Sequence, residues 1–274
     1  MRQLTALAGL ALALTLSVAR PTPVQAQSDS GLGFVAGEAE LAGQGGGGGE
    51  TARATLGSIW QIGGHQTVQL DLGYVDYGQS AIGHVAGHLT LQPAFDRKYG
   101  VFGVYEDLNE ASVYGLLGGV EGMWALSPAL WAEAQVGAGV MQPASTDFIF
   151  AAGRLNRAVG AVEIGLGYQI AEVDELDMGL TVQSVELGAE LDVETGRGAL
   201  QLGGALRHDR ISGTGPGAGQ DDTSLVLSVG WRFGNGARSD VGGRGTDEAR
   251  AVGSRLFRTP HPLGPLWRAG VMRF

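Results

Sequence analysis

Leu225-Val-Leu-Ser-Val-Gly-Trp-Arg-Phe233 alternates large apolar residues at the odd positions with Val226, Ser228, Gly230 and Arg232 at the even ones. Successive side chains of a β-strand point to opposite faces, so strict alternation predicts a strand with one face in an apolar medium. The other face then meets water or small polar groups. The stretch therefore predicts a strand at a boundary between two media.

The same alternation recurs along the chain from residue 33 to residue 233, for example over 52–62, 66–74 and 84–92. A membrane strand and its connection take on the order of 17 residues, so this length predicts about twelve strands, with ten as the fallback. The predicted strands lie near 33–42, 51–62, 66–77, 82–92, 98–105, 111–126, 129–141, 147–153, 158–170, 178–189, 199–208 and 223–233.

The amino terminus has the composition of an export signal. Arg2 is followed by a run of mostly Leu and Ala from Leu4 to Val18, and then by the small-residue site Val24-Gln-Ala26. An export peptidase reads this order of features, so we predict that residues 1–26 are a cleaved signal peptide. An uncleaved anchor is the alternative, but the run is shorter than the roughly 20 residues of a spanning helix.

Composition narrows the fold of the rest of the chain. The sequence has 48 Gly and no Cys, and after the export signal it has no run of 18 apolar residues. A membrane span built from such a chain must be a closed barrel, because open sheet edges are not tolerated in lipid. We predict an all-β, closed antiparallel up-and-down transmembrane barrel over residues 27–233. The formal net charge of -10 argues against nucleic-acid binding.

The connections between the predicted strands alternate in length and charge. Outer-membrane barrels have short periplasmic turns and longer outer loops. The predicted turns are 63–65, 95–98, 127–128, 154–157 and 193–198, and they carry five of the nine Lys and Arg residues between 27 and 233. The predicted outer loops, which carry many of the acidic residues, are 43–50, the stretch around Gly78, 106–110, 142–146, 172–177 and 209–222.

The stretch from Leu225 to Phe233 resembles the final strand of bacterial outer-membrane β-barrel proteins. The resemblance implies a porin-like class, and it implies that Trp231 and Phe233 form the insertion signal that the barrel-assembly machinery reads. It also implies an outer-membrane location, with lipid and lipopolysaccharide as neighbours. Unlike the usual pattern, this chain continues beyond Phe233. We predict that residues 234–274, which are rich in Gly and Arg, form a flexible periplasmic tail.

Two histidines raise the alternative of a barrel hydrolase. His84 and His88 share one face of their predicted strand, so both should point into the barrel near Thr90. A carboxylate beside them could complete a general base or a metal site. However, inward positions of such barrels are normally polar, and the chain has no Gly-x-Ser-x-Gly motif. We therefore predict that the protein is not an enzyme and has no cofactor.

The acidic residues Glu172, Asp174, Glu175 and Asp177 are weak candidates for a Ca²⁺ or Mg²⁺ site in an outer loop, with a solvated loop as the favoured alternative. The predicted lumen lining is Asp71, His84, His88, Glu121, Glu133 and Glu163. This acidic lining predicts passive passage of small solutes with a mild preference for cations. A structural or adhesive barrel with acidic surface loops is the alternative function.

Overall fold

The computed structural model describes residues 33–108, 113–143, 145–175, 178–195, 198–234 and 261–272. The predicted signal peptide, residues 1–26, lies outside the described residues and stays a prediction. The same holds for most of the predicted tail, residues 235–260.

Twelve β-strands follow one another along the chain, as predicted from the alternation. They are 11 to 18 residues long, whereas 9–11 residues were expected for a membrane strand. The strands are β1 (Gly33–Gly46), β2 (Gly49–Gly63), β3 (Gln66–Asp76), β4 (Ala81–Ala94), β5 (Arg97–Leu108), β6 (Tyr114–Ser127), β7 (Leu130–Gln142), β8 (Thr146–Val159), β9 (Val162–Glu175), β10 (Met178–Thr195), β11 (Gly198–Thr214) and β12 (Gln220–Gly234).

The strands form one closed antiparallel barrel in which each strand pairs with the next. The ring closes between β1 and β12, where Ala36 lies opposite Gly234 and Gly46 lies opposite Ser224. Closure gives every strand two partners, so the sheet has no open edge. Because the strand number is even, the first residue of β1 and the last residue of β12 lie at the same end of the cylinder.

The two ends of the barrel differ in their connections. At the end that holds Gly33 and Gly234, which we call the turn end, each hairpin is joined by only two residues. At the opposite end, the loop end, the connections have two to five residues. The predicted turn at 154–157 is wrong: β8 continues to Val159, and the turn is at Gly160-Ala161.

Most of the predicted outer loops are shorter than expected, because the strands extend into them. The connection predicted over 209–222 shrinks to residues 215–219, since β11 reaches Thr214 and β12 starts at Gln220. Likewise, β9 reaches Glu175, so the predicted loop 172–177 is mostly strand. Charged residues near a strand end were misread as loop residues in both places.

The alternation of the sequence sorts the side chains onto the two faces of the wall. The outward apolar side chains are about half exposed, as with Leu72 (51%) and Val120 (58%), whereas inward neighbours such as Val226 (1%) are buried. Outward apolar residues occur around the ring and include Leu70, Val101, Leu116, Val136, Ile149, Leu166, Leu187, Leu206 and Leu227. This outer belt would be unfavourable in water and suits a lipid surround.

Residues 261–272, which we call the C-terminal segment, lie inside the barrel near the loop end. They include one short helix, α1 (Gly264–Arg268). Leu263 and Leu266 are fully buried and belong to the same apolar cluster as inward residues of the wall. The expected mobile periplasmic tail is therefore wrong for this part of the chain. No helix in the described ranges is long and apolar enough to cross a membrane.

Candidate functional site in the barrel lumen

The six residues predicted to line the lumen all lie on inward positions of their strands. His84, His88, Glu121 and Glu133 are buried, and Asp71 and Glu163 are partly buried. Only Asp71, His88 and Glu121 come together in one cluster. They sit on β3, β4 and β6.

His88 lies between two carboxylates. Its Nδ1 is 3.0 Å from Oε1 of Glu121, and its Nε2 is 3.3 Å from Oδ2 of Asp71. Gln135 donates a hydrogen bond of 3.3 Å to Oε2 of the same glutamate. Because both ring nitrogens face acceptors on the wall, neither is directed at a solute. The arrangement fits a wall contact better than a general base, which must reach the proton that it abstracts.

His84 lies apart from this cluster and packs flat against the wall. A Cβ built on Gly73 would lie 1.9 Å from its Cε1 atom, so only glycine leaves room for the ring. Close packing of a ring on backbone explains one of the many glycines of the chain. The two histidines therefore share a face, as predicted, but they do not share a site.

A second polar cluster surrounds Glu133 in the turn half of the lumen. Trp131 Nε1 donates a hydrogen bond of 3.0 Å to its Oε1, and Asn156 Nδ2 donates another of 2.9 Å. Nearby, Arg154 Nη1 lies 2.9 Å from Oε1 of Glu186, with both side chains buried. Sequence reasoning missed Arg154 and Asn156 because they were assigned to a turn. Both residues have even numbers, like the inward Phe148 and Phe150, and this parity could have placed them on the inward face of β8.

Further ion pairs line the wall near the β1–β12 closure. Arg232 lies 3.6 Å from both Glu38 and Asp192, and Arg53 contacts Glu40. These pairs join strands that are neighbours or one strand apart. These ion pairs therefore lie along the wall. None of them spans the lumen from one side to the other.

The loop half of the lumen is lined by apolar side chains, which we call the apolar collar. Its residues are Val75, Ile82, Phe102, Leu117, Met141, Phe148, Phe150, Val173, Leu180, Val182 and Ile211, and all are buried. The C-terminal segment packs against the collar through Leu263, Leu266, Trp267 and Met272. The Trp267 ring stacks on Tyr77, with centroids 6.2 Å apart.

Polar contacts fix the C-terminal segment to the wall at several points. Arg268 Nη2 lies 2.7 Å from Oδ2 of Asp209 and also contacts Asp222. His261 Nε2 lies 3.0 Å from Oε2 of Glu106. Gln169 Nε2 donates a hydrogen bond of 2.9 Å to the carbonyl oxygen of residue 262. Buried charges require such partners, because an unpaired charge in a low-dielectric interior is costly.

Hydrogen bonding also defines the tautomer of His261. The backbone N–H of Leu263 donates a hydrogen bond of 2.8 Å to Nδ1 of His261, so this nitrogen is the acceptor. A neutral ring then has its proton on Nε2, the atom that lies 3.0 Å from Oε2 of Glu106. Beside it, burial raises the pKa of Tyr77, the first residue of the β3–β4 loop, and the negative charge of Glu106 adds to the rise.

The acidic residues proposed for a cation site lie on strand β9 or outside the described part of the chain. Glu172 and Asp174 occupy outward, exposed positions of β9. Glu175 ends the strand, and Asp177 is not among the described residues. Within the described ranges, no group of three or more His, Asp or Glu side chains could hold a metal ion.

The two residues of the predicted insertion signal lie on the outward face of β12 near the turn end. The Phe233 ring stacks on Phe34 of β1, with centroids 6.1 Å apart, and it covers Gly37, where a Cβ would lie 2.5 Å from the ring. This aromatic contact crosses the pair of strands that closes the barrel.

Together these features define the chain as a closed twelve-strand antiparallel β-barrel, the fold that outer-membrane porins have. Solved structures with a similar fold include outer-membrane porins and an outer-membrane channel. The COG4313 outer membrane channel from Pseudomonas putida F1 is 12% identical, with a TM-score of 0.53, over 78% of this chain and 100% of that one. The KdgM porin in complex with disordered oligogalacturonate is 9% identical, with a TM-score of 0.50, over 71% of this chain and 98% of that one.

The NanC porin is similar at the same level, with 8% identity and a TM-score of 0.50 over 70% of this chain and 98% of that one. No family of known proteins matches the sequence, and no curated protein matches it. At such low identities the likeness concerns the fold, so the solutes of these channels do not transfer to this chain.

Proposed function

We propose that the protein is a porin-like channel of the bacterial outer membrane that passes small solutes passively and prefers cations. The barrel-assembly machinery would insert it, and its outer belt would contact lipid and lipopolysaccharide. The outward half-exposed apolar residues support the membrane location, because a water-soluble protein would expose few such patches.

The observation that carries the cation preference is the acidic lining of the lumen. Inward acids outnumber inward bases along the wall. The acids include Glu38, Glu40, Asp71, Glu106, Glu121, Glu133, Glu163, Glu186, Glu190, Asp192, Asp209 and Asp222, and the bases of the described wall other than histidine are Arg53, Lys98, Arg154, Arg207 and Arg232. Rings of carboxylates lower the energy of cations in a pore relative to anions.

The test is the reversal potential of the purified protein in planar bilayers under a salt gradient. Because the C-terminal segment occupies the loop half of the lumen, the measurement is repeated on Arg268→Glu. This variant weakens the docking of the segment. We expect cation selectivity, and we expect Glu121→Gln and Glu133→Gln to reduce it. The matched control is Glu172→Gln on the outward face, which should leave it unchanged. Anion selectivity would contradict the proposed preference.

A structural barrel is the second candidate, and the C-terminal segment in the lumen is the observation that favours it. A barrel whose loop half is filled by its own chain could serve as a scaffold without conducting. In that case the folded protein would carry no current in either the native or the Arg268→Glu form. We propose no hydrolytic role, because the His88 nitrogens are engaged by Asp71 and Glu121.

A further inference from the structure

We propose that the loop half of the lumen is a binding site for a short peptide with an arginine beside apolar residues, and that the chain's own C-terminal segment occupies it as a displaceable plug. The plug closes the pore at the loop end. This inference rests on the proposed channel function, since a plug controls passage only through a pore.

The segment touches the wall on all sides of the ring. Its partners are Tyr77 after β3, Glu106 on β5, Phe148 on β8, Gln169 on β9, Asp209 on β11 and Asp222 on β12. These strands are spread around the cylinder. A segment that contacts all of them crosses the lumen and obstructs the axis.

The wall and the segment are complementary in both apolar surface and charge. Without the segment, the apolar collar would line a water-filled passage, which is unfavourable for so many large side chains. Leu263 and Leu266 cover it. Arg268 sits between Asp209 and Asp222, so its charge is matched by two carboxylates that come from different strands. The site therefore selects an arginine next to an apolar surface.

The plug is suited to release because its contacts with the wall are non-covalent and its own structure is weak. The helix α1 has only five residues, far fewer than an isolated helix needs to be stable in water. Its order thus depends on the wall, and a change that removes the charge contacts of Arg268 should free the whole segment. The position of Gly217 against Val271 marks where the segment meets the β11–β12 loop.

The first experiment measures single-channel open probability in planar bilayers for the full chain and for Arg268→Glu. Charge reversal sets two carboxylates against a third, so we expect the open probability to rise about tenfold or more. Arg268→Lys keeps the charge and should remain mostly closed. The matched control is Arg210→Glu, the same change on an exposed, outward position of β11; it should behave as the native chain does.

The second experiment uses the absence of cysteine in the chain. Leu266 is fully buried under the plug contacts, so Leu266→Cys should react slowly with a maleimide in the folded protein. Adding Arg268→Glu should speed the reaction by a similar factor to the rise in open probability. Rapid labelling of Leu266→Cys alone would overturn the docking of the segment.

The two measurements separate the plug from the channel function. If the native chain conducts as freely as Arg268→Glu while Leu266→Cys stays protected, the segment docks without closing the pore and the plug is overturned. If charge reversal frees Leu266→Cys but no variant conducts, the channel function fails, and the gating role fails with it. Closure in the native chain with opening and labelling in Arg268→Glu supports the proposal.

Discussion

Arg154 on β8 reaches Glu186 on β10 with a hydrogen bond of 2.9 Å, across the intervening strand β9. The path is open because β9 has Gly165 there: a Cβ on that residue would lie 2.3 Å from Nη2 of Arg154. Two strands that do not pair are thus joined over a glycine. The ion pair between Arg154 and Glu186 therefore requires a glycine at position 165.

Replacing this glycine should break the ion pair without changing either charged residue. We expect Gly165→Leu to lower the free energy of unfolding by about 3–5 kcal/mol, because it leaves both buried charges without their partner. Urea titration of the folded protein in detergent micelles measures it. Gly87→Leu is the control, since Gly87 is on the outward face with open space around its Cβ position. Equal losses in the two variants would contradict the prediction.

The ion pair itself should show strong coupling between its two members. Arg154→Met or Glu186→Leu alone removes one partner and should cost about 3–5 kcal/mol. The double variant leaves no unpaired charge, so we expect it to lose much less than the sum of the single variants. The same urea titrations, arranged as a double-mutant cycle, give the coupling energy. Simple additivity would show that the two side chains act independently.

The aromatic contact across the closing strands should matter for assembly. Phe233→Ala removes the ring that stacks on Phe34 and, by the predicted insertion signal, the residue that the assembly machinery reads. We expect less folded barrel in the membrane, measured as the heat-modifiable band on gels of boiled and unboiled membrane fractions. Phe95→Ala at a turn, where the residue is 86% exposed, should leave that band unchanged.

Tyr77 should link the stability of the loop half to alkaline pH. The pKa of its buried phenol is raised, so the neutral form is favoured in the folded state. Its contribution is fully present below the unfolded value of about 10 and is lost as the pH rises through the folded value. We expect the native chain, but not Tyr77→Phe, to lose this part of its stability above about pH 10. Phenolate absorbance that shows Tyr77 ionising at its ordinary pH would refute this.

The barrel could be predicted from the sequence because each strand is marked by a pattern of neighbouring residues. Alternation such as Val68, Leu70, Leu72 and Tyr74 against polar neighbours fixes both the strand and the face that each residue occupies. The inward placement of His84 and His88 followed from the same rule. The turns were predicted less well, because Arg154 resembles a turn residue until its buried partner Glu186 is known.

The C-terminal segment could not be predicted, because nothing local marks its destination. Residues 261–272 show no sustained alternation, and their helix has five residues that include glycine and proline. Their position depends on contacts with residues far away in the chain, such as Asp209 for Arg268 and Glu106 for His261. Such pairs can be recognised only when the folded barrel is known, because their members are far apart in the sequence.

The closure between β1 and β12 constrains how this chain is made. Ala36 and Gly234 join the ring, while Trp267, later in the chain, lies within it. A sealed ring has no sideways entrance. During biogenesis, residues 261–272 must enter the lumen before β12 pairs with β1, or pass along the barrel axis afterwards. Either route requires β12 to pair with β1 although polypeptide still follows β12 in the chain.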